Sequence, residues 1–155
     1  MSTKKQNIYK VVFPFELPSF NEIIDAAKDP VKTKNGWLTS KDGKPITGFR
    51  YKSLKSKTEK KMVPFVDLDL SQIRITGNCA VHVRFYCKDK RKDPPNINAG
   101  TKFVYDILQT CEILPNDNWT YLSGGFLYNF FIDKKNPRVE VYILENYNLT
   151  IKIEP

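Results

Sequence analysis

Residues 79–87 carry the clearest pattern in the chain: Cys79, Val81, Val83, Phe85 and Cys87 alternate with Ala80, His82, Arg84 and Tyr86. A period of two puts each set on one side of an extended strand, so the segment predicts a strand with an apolar face and a polar face bearing His82 and Arg84. Ile8 to Phe13 is β-branched and aromatic and predicts an earlier strand, ended by Pro14 and Pro18. Gly125 to Asp133, Arg138 to Glu145 and Leu149 to Ile153 predict three closing strands, the first two joined through Lys134-Lys135-Asn136-Pro137. Elsewhere helical signals take over. Ser19 can cap a short helix through Lys28, with Glu22 completing a capping box. Tyr51 to Val66 has helical composition up to a break near Pro64, on a thin stripe of Leu54, Met62 and Phe65. Asn96 is placed to cap a further helix after Pro94-Pro95, with Ile97, Val104, Leu108 and Cys111 as its buried stripe. Asn98, Lys102 and Asp106 share the opposite side. The expected fold is α+β, a single domain over residues 1–155 with helices packed on a mixed sheet.

With 155 residues, of which 41% are hydrophobic, the chain can fill the core of one such domain. Three cysteines, odd in number and set apart in apolar runs, argue against a disulfide framework or a cysteine-based zinc site. They point to a reducing cytoplasm. No apolar run has the length of a membrane span, and residues 1–7 lack the apolar core of a signal peptide, so the expected protein is soluble and cytoplasmic, without a membrane partner.

The net charge of +8 matters through its placement. Residues 1–62 hold 14 Lys/Arg against 6 Asp/Glu, whereas the remainder holds 11 of each. Lys55 and Lys57 lie on the predicted second helix with Lys52, Lys60 and Lys61. The preceding Gly-, Pro- and Lys-rich stretch, about 29–50, predicts an extended basic arm with a hairpin turn at Asp42-Gly43. Such lysines form either a solvated surface or a polyanion-binding face. The run Lys88-Asp89-Lys90-Arg91-Lys92 beside a carboxylate segment favours nucleic acid, with Lys55, Lys57, Lys90, Arg91 and Lys92 as candidate DNA contacts.

That carboxylate segment begins at Asp93. An Asn-led helix follows, and then the polar turn Leu114-Pro115-Asn116-Asp117-Asn118-Trp119 brings a second carboxylate. Two separated carboxylates brought together in this way can flank a divalent cation, although Asp is also common in loops and turns for conformational reasons. His82 has no second histidine to build a metal site with and is assigned no catalytic role.

Taken together these pieces resemble the RusA-type Holliday junction resolvases, in the version found among phages and prophages of Gram-positive bacteria. Leu17-Pro18-Ser19-Phe20-Asn21-Glu22 resembles the family's early Leu-Pro-Ser-Leu-Asn-Glu element. The 79–87 strand running into Lys90-Arg91-Lys92-Asp93 resembles its strand leading to Asp-x-Asp-Asn. Lys102-Phe103 and Asp106-Ile107-Leu108 resemble its Lys-bearing helix, the turn at Asp117 its Asp-Asp-Gly-Trp turn, and Asn136 to Val141 its C-terminal strand. Relative to that pattern, about 29–50 is an insertion.

The resemblance implies an α+β homodimer that binds four-way DNA junctions in the bacterial host cytoplasm and cuts two strands with magnesium, or with manganese in its place. It implies Asp93 and Asp117 as metal-binding catalytic carboxylates, Lys102 as the catalytic helix lysine, and Asn96 as the motif asparagine, with Asn21 in support; apart from the resemblance, Asn98 or Glu140 could supply a substitute oxygen. The motif's second carboxylate falls on Pro95, and Asn116 replaces an Asp. Magnesium needs hard oxygen ligands, and proline supplies no side-chain oxygen. A lost ligand of this kind typically costs about a hundredfold or more in rate. The resemblance therefore implies a resolvase weakened at Pro95, against a second reading in which the fold binds branched DNA without cutting it. A third reading makes the basic arm and the Trp119-Thr120-Tyr121-Leu122 stretch a protein-interaction module.

Overall fold

The computed structural model describes residues 5–149. In chain order the elements are β1 (Asn7–Phe13), α1 (Phe20–Lys28), β2 (Lys32–Thr33), β3 (Gly36–Trp37), α2 (Phe49–Leu70), β4 (Cys79–Cys87), α3 (Pro94–Asn98), α4 (Thr101–Thr110), α5 (Trp119–Leu122), β5 (Phe126–Ile132) and β6 (Arg138–Glu145). Four strands form a mixed sheet in the order β1-β6-β4-β5, with β4 and β5 parallel and the other neighbours antiparallel. The predicted strand at Leu149 to Ile153 falls almost wholly outside the described residues. No helix among the described residues is long and apolar enough to cross a membrane.

Alternation in β4 does what its sequence predicts. Cys79, Val81, Val83, Phe85 and Cys87 are buried, and they join Val11, Phe13, Val139, Val141 and Ile143 in one core under α2 and α4. His82, Arg84 and Tyr86 point to the other side, where His82 Nε2 lies 2.7 Å from Asn129 Oδ1. On that side Glu140 receives Arg138 at 2.9 Å, Lys10 at 3.4 Å and the Tyr142 hydroxyl at 2.8 Å. The last described strand is fixed by a buried carboxylate: Glu145 accepts hydrogen bonds from the backbone N–H of Thr76 (2.7 Å) and of Gly77 (3.0 Å). It also takes the Asn7 amide (3.2 Å) and the Tyr9 hydroxyl (3.3 Å), tying both neighbours of β6 to its end.

Two helix boundaries differ from the sequence expectation. α2 does not break at Pro64 but runs through it to Leu70. Thr58, Met62, Val66 and Leu70 recur every four residues as a buried row, and the helix lies against β1. Burying Val66 and Leu70 contributes about 1.5–3 kcal/mol each. Together that offsets the roughly 3 kcal/mol an interior proline costs. The helix expected to start at Asn96 is instead two: Asp93 is the N-cap of the one-turn α3, with Pro94 at the first position, and α4 starts anew at Thr101. Proline is pre-set for that first position, so the cap moves upstream of Asn96. At the junction Gly100 N–H donates to the Ile97 carbonyl and Phe103 N–H to the Gly100 carbonyl, both at 3.1 Å.

Candidate nucleic-acid interface

Gly100 joins the two ends of the predicted site. A Cβ there would sit 2.7 Å from Leu17 Cβ and 3.0 Å from the Pro18 carbonyl oxygen, so only glycine lets the α3–α4 junction approach the Leu17-Pro18-Ser19 element this closely. On the other side of that contact, Glu22 accepts from the Ser19 backbone N–H (2.8 Å) and hydroxyl (2.7 Å), the predicted capping interaction. The same carboxylate oxygen receives Lys92 Nζ at 3.0 Å. Burial raises the Glu22 carboxyl, but the Ser19 hydrogen bonds and the Lys92 ammonium outweigh it and hold the group below the usual range. The structure thus places Lys92, beside Asp93, on the first turn of α1, next to the exposed Asn21.

From this point clefts continue along the seam between α1 and α2. Lys61, Lys92 and Glu22 line the first, Glu22, Asp25, Arg50 and Lys57 the next, and Arg50 and Ser53 lead into a third beneath the arm. Lys57 thus lines the cleft next to the one that holds Lys92, the two having Glu22 in common. Lys55, two residues earlier on α2, is turned toward α4, where its ammonium meets Asp106 at 2.8 Å and Glu59 at 3.5 Å. The Asp106 hydrogen bond raises the Lys55 ammonium above the ordinary lysine value, against a smaller effect of burial. The five candidate DNA contacts are thus divided. Arg91 is held by Asp89, at 2.7 Å and 2.8 Å, whereas Lys57, Lys90 and the exposed Lys102 make no ion pair among the described residues.

Asp93 is exposed, and its carbonyl accepts from Asn96 N–H (2.9 Å) and Ile97 N–H (3.1 Å), which places Asn96 in the first turn of α3. Pro95, also exposed, is the second residue of that turn. The Asn98 side-chain oxygen is buried without a hydrogen-bond partner among the described residues. Asp117 is exposed in the turn before α5, and Asn118 caps that helix by accepting from Thr120 N–H at 3.0 Å. Among the described residues no group of three His, Cys, Asp or Glu side chains is close enough to hold a metal. Pro95, between Asp93 and Asn96, offers a cation no side-chain oxygen.

Sequence reasoning overlooked the groove role of Glu22 and Asp25, whereas Lys61 was among the helix lysines read as a polyanion-binding face. The signal for Glu22 was present in Leu17 to Glu22, read there only as a helix start. The Lys10–Arg138–Glu140 cluster was also missed, although Arg138-x-Glu140-x-Tyr142 alternates on the same period as β4. Compared with known proteins, the chain matches no protein-family model and no curated protein.

Proposed function

We propose that the chain is a RusA-like Holliday junction resolvase, a structure-selective endodeoxyribonuclease that acts on four-way DNA junctions as a homodimer, with magnesium-dependent cutting weakened at Pro95. The observation that carries this reading is the Gly100 contact together with the Lys92–Glu22 ion pair. These join the two motif segments at one end of a groove lined by Lys57 and Lys61. Such a groove can track a phosphate backbone. A four-way junction is close to two-fold symmetric, and paired cuts call for paired sites on a two-fold dimer.

The second reading, a branched-DNA binder that does not cut, is favoured by Pro95 itself. The test uses a synthetic junction, a fork and a linear duplex with magnesium or manganese, alongside Asp93→Asn, Asp117→Asn and Pro95→Asp. Pro95→Asp restores the motif and is expected to raise metal-dependent cleavage by at least about tenfold, or about 1.4 kcal/mol of barrier. Efficient cutting by wild type, unchanged in Pro95→Asp, refutes the assignment of the site. Tight junction binding without cutting by either protein establishes the non-cutting reading. Absence of binding to any DNA, or binding indifferent to salt, removes both and leaves the protein-interaction module.

A further inference from the structure

The arm between α1 and α2 is built to present aromatic rings. Its backbone closes on itself through Val31 N–H to the Ile46 carbonyl (3.0 Å), Leu38 N–H to Val31 (2.8 Å), Ile46 N–H to Leu38 (2.8 Å) and Ser40 N–H to Lys44 (2.8 Å). Gly36 (φ 116°) and Gly43 (φ 76°) make the turns, and the predicted hairpin at Asp42-Gly43 is present. A ladder of this kind is pre-ordered, yet the arm encloses no core of its own. Trp37 is 55% exposed and Phe49, at the start of α2, is 53% exposed.

Single exposed apolar residues are ordinary, but these two line one cleft of about 470 Å³. That volume lies within the roughly 300–1,000 Å³ of small-molecule sites. Each ring carries a lysine: Lys32 Nζ lies 5.9 Å from the Trp37 ring centre and Lys52 Nζ 5.9 Å from that of Phe49. The acid in the cleft, Asp29, is ion-paired with Arg50. Residues 29–52 hold six Lys/Arg against two Asp/Glu, so the walls are aromatic and the surround is positive. Aromatic faces stack with any base while lysines take the phosphates, and single-stranded nucleic acid is bound by this combination.

We propose that the Trp37–Phe49 cleft is a stacking site for an unpaired nucleotide of single-stranded DNA, with Lys32 and Lys52 serving its phosphates. The proposal rests on the junction reading only for the source of that strand, the opened bases at a branch point, and its test involves no cutting.

In a Trp119→Phe background Trp37 is the sole tryptophan, so its emission reports on the cleft. The probes are an oligothymidylate and a strand of equal length whose sugars carry no bases. The expected result is quenching by the oligothymidylate and none by the base-free strand. Trp37→Ala is expected to weaken oligothymidylate binding between about fivefold and a hundredfold, with Trp37→Phe retaining most of it. Equal binding of both strands, or Trp37→Ala binding like its parent, overturns the proposal and makes the arm a phosphate contact alone. So does a Trp37 emission that responds to neither strand. A protein that cuts no junction yet shows base-dependent quenching upholds the stacking site while the resolvase reading fails.

Discussion

Glu145→Ala is expected to destabilise the protein by about 3 kcal/mol, because it strips the acceptor from two backbone N–H groups and leaves the buried Gly77 donor unpaired, at about 1–3 kcal/mol for each such group. The carboxylate is only 4% exposed, so water replaces it poorly. Against a total stability of about 5–15 kcal/mol, that loss moves the urea midpoint well outside error. Glu145→Gln keeps a carbonyl for Thr76 and Gly77 and loses only the charge, so its cost is expected to be smaller, about 1–2 kcal/mol. Acid separates the two effects. Burial raises the Glu145 carboxyl, but the hydrogen bonds from Thr76, Asn7 and Gly77 outweigh it and hold the group below its ordinary value. A depressed carboxyl contributes stability that is complete above the unfolded-state pKa of about 4.3 and is lost as pH falls through the folded value. The gap between wild type and Glu145→Gln should therefore be open at neutral pH and close in acid. Urea midpoints for the three proteins at both pH values test this. An alanine variant within about 0.5 kcal/mol of wild type, the range of an ordinary surface change, would sink the reasoning.

Gly100→Ala should lower the thermal midpoint, with overpacking against Leu17 and Pro18 costing about 1–3 kcal/mol, and a higher midpoint would mean the junction yields. Lys57→Gln should reduce the salt slope of junction binding by about one, and Lys55→Gln by clearly less because Asp106 already holds that charge; equal slopes would put both lysines on the DNA. Burial first, and the Glu145 charge second, push the Cys79 thiol up to about 12. Burial raises the Cys87 and Cys111 thiols as well, so access decides: an aromatic disulfide reagent at mildly alkaline pH should modify the folded protein only at the half-buried Cys111, and rapid modification of three thiols would show the core opening.

What the sequence made legible follows from where a local rule and the tertiary environment agree. The period of two in Cys79 to Cys87 matched a strand with one covered face, and Ser19 with Glu22 formed the capping interaction their spacing required. Pro64 was misread because the local cost of proline is visible in sequence, whereas the buried row Thr58-Met62-Val66-Leu70 that outweighs it exists only once β1 lies beneath it. Asn96 was misread as a cap because Asp93 and Pro94 upstream are the stronger start signal. In the candidate site the participants were legible but their pairings were not. Lys55 and Lys57 look alike in sequence, and a two-residue step on a helix turns one to Asp106 and the other into the groove.

The order β1-β6-β4-β5 also governs when the molecule can form. β1 has one neighbour among the described strands, β6, and Asn7 pairs with Glu145 across a separation of 138 residues. On a ribosome adding about 5–20 residues per second, β1 waits on the order of ten seconds for that partner. During the wait Val11 and Phe13 would be open to misplaced contacts. Relief comes from α2, which packs on the same strand and is complete by Leu70, before β4 has been made. In that interval α2 can cover Val11 and Phe13 from within the same chain.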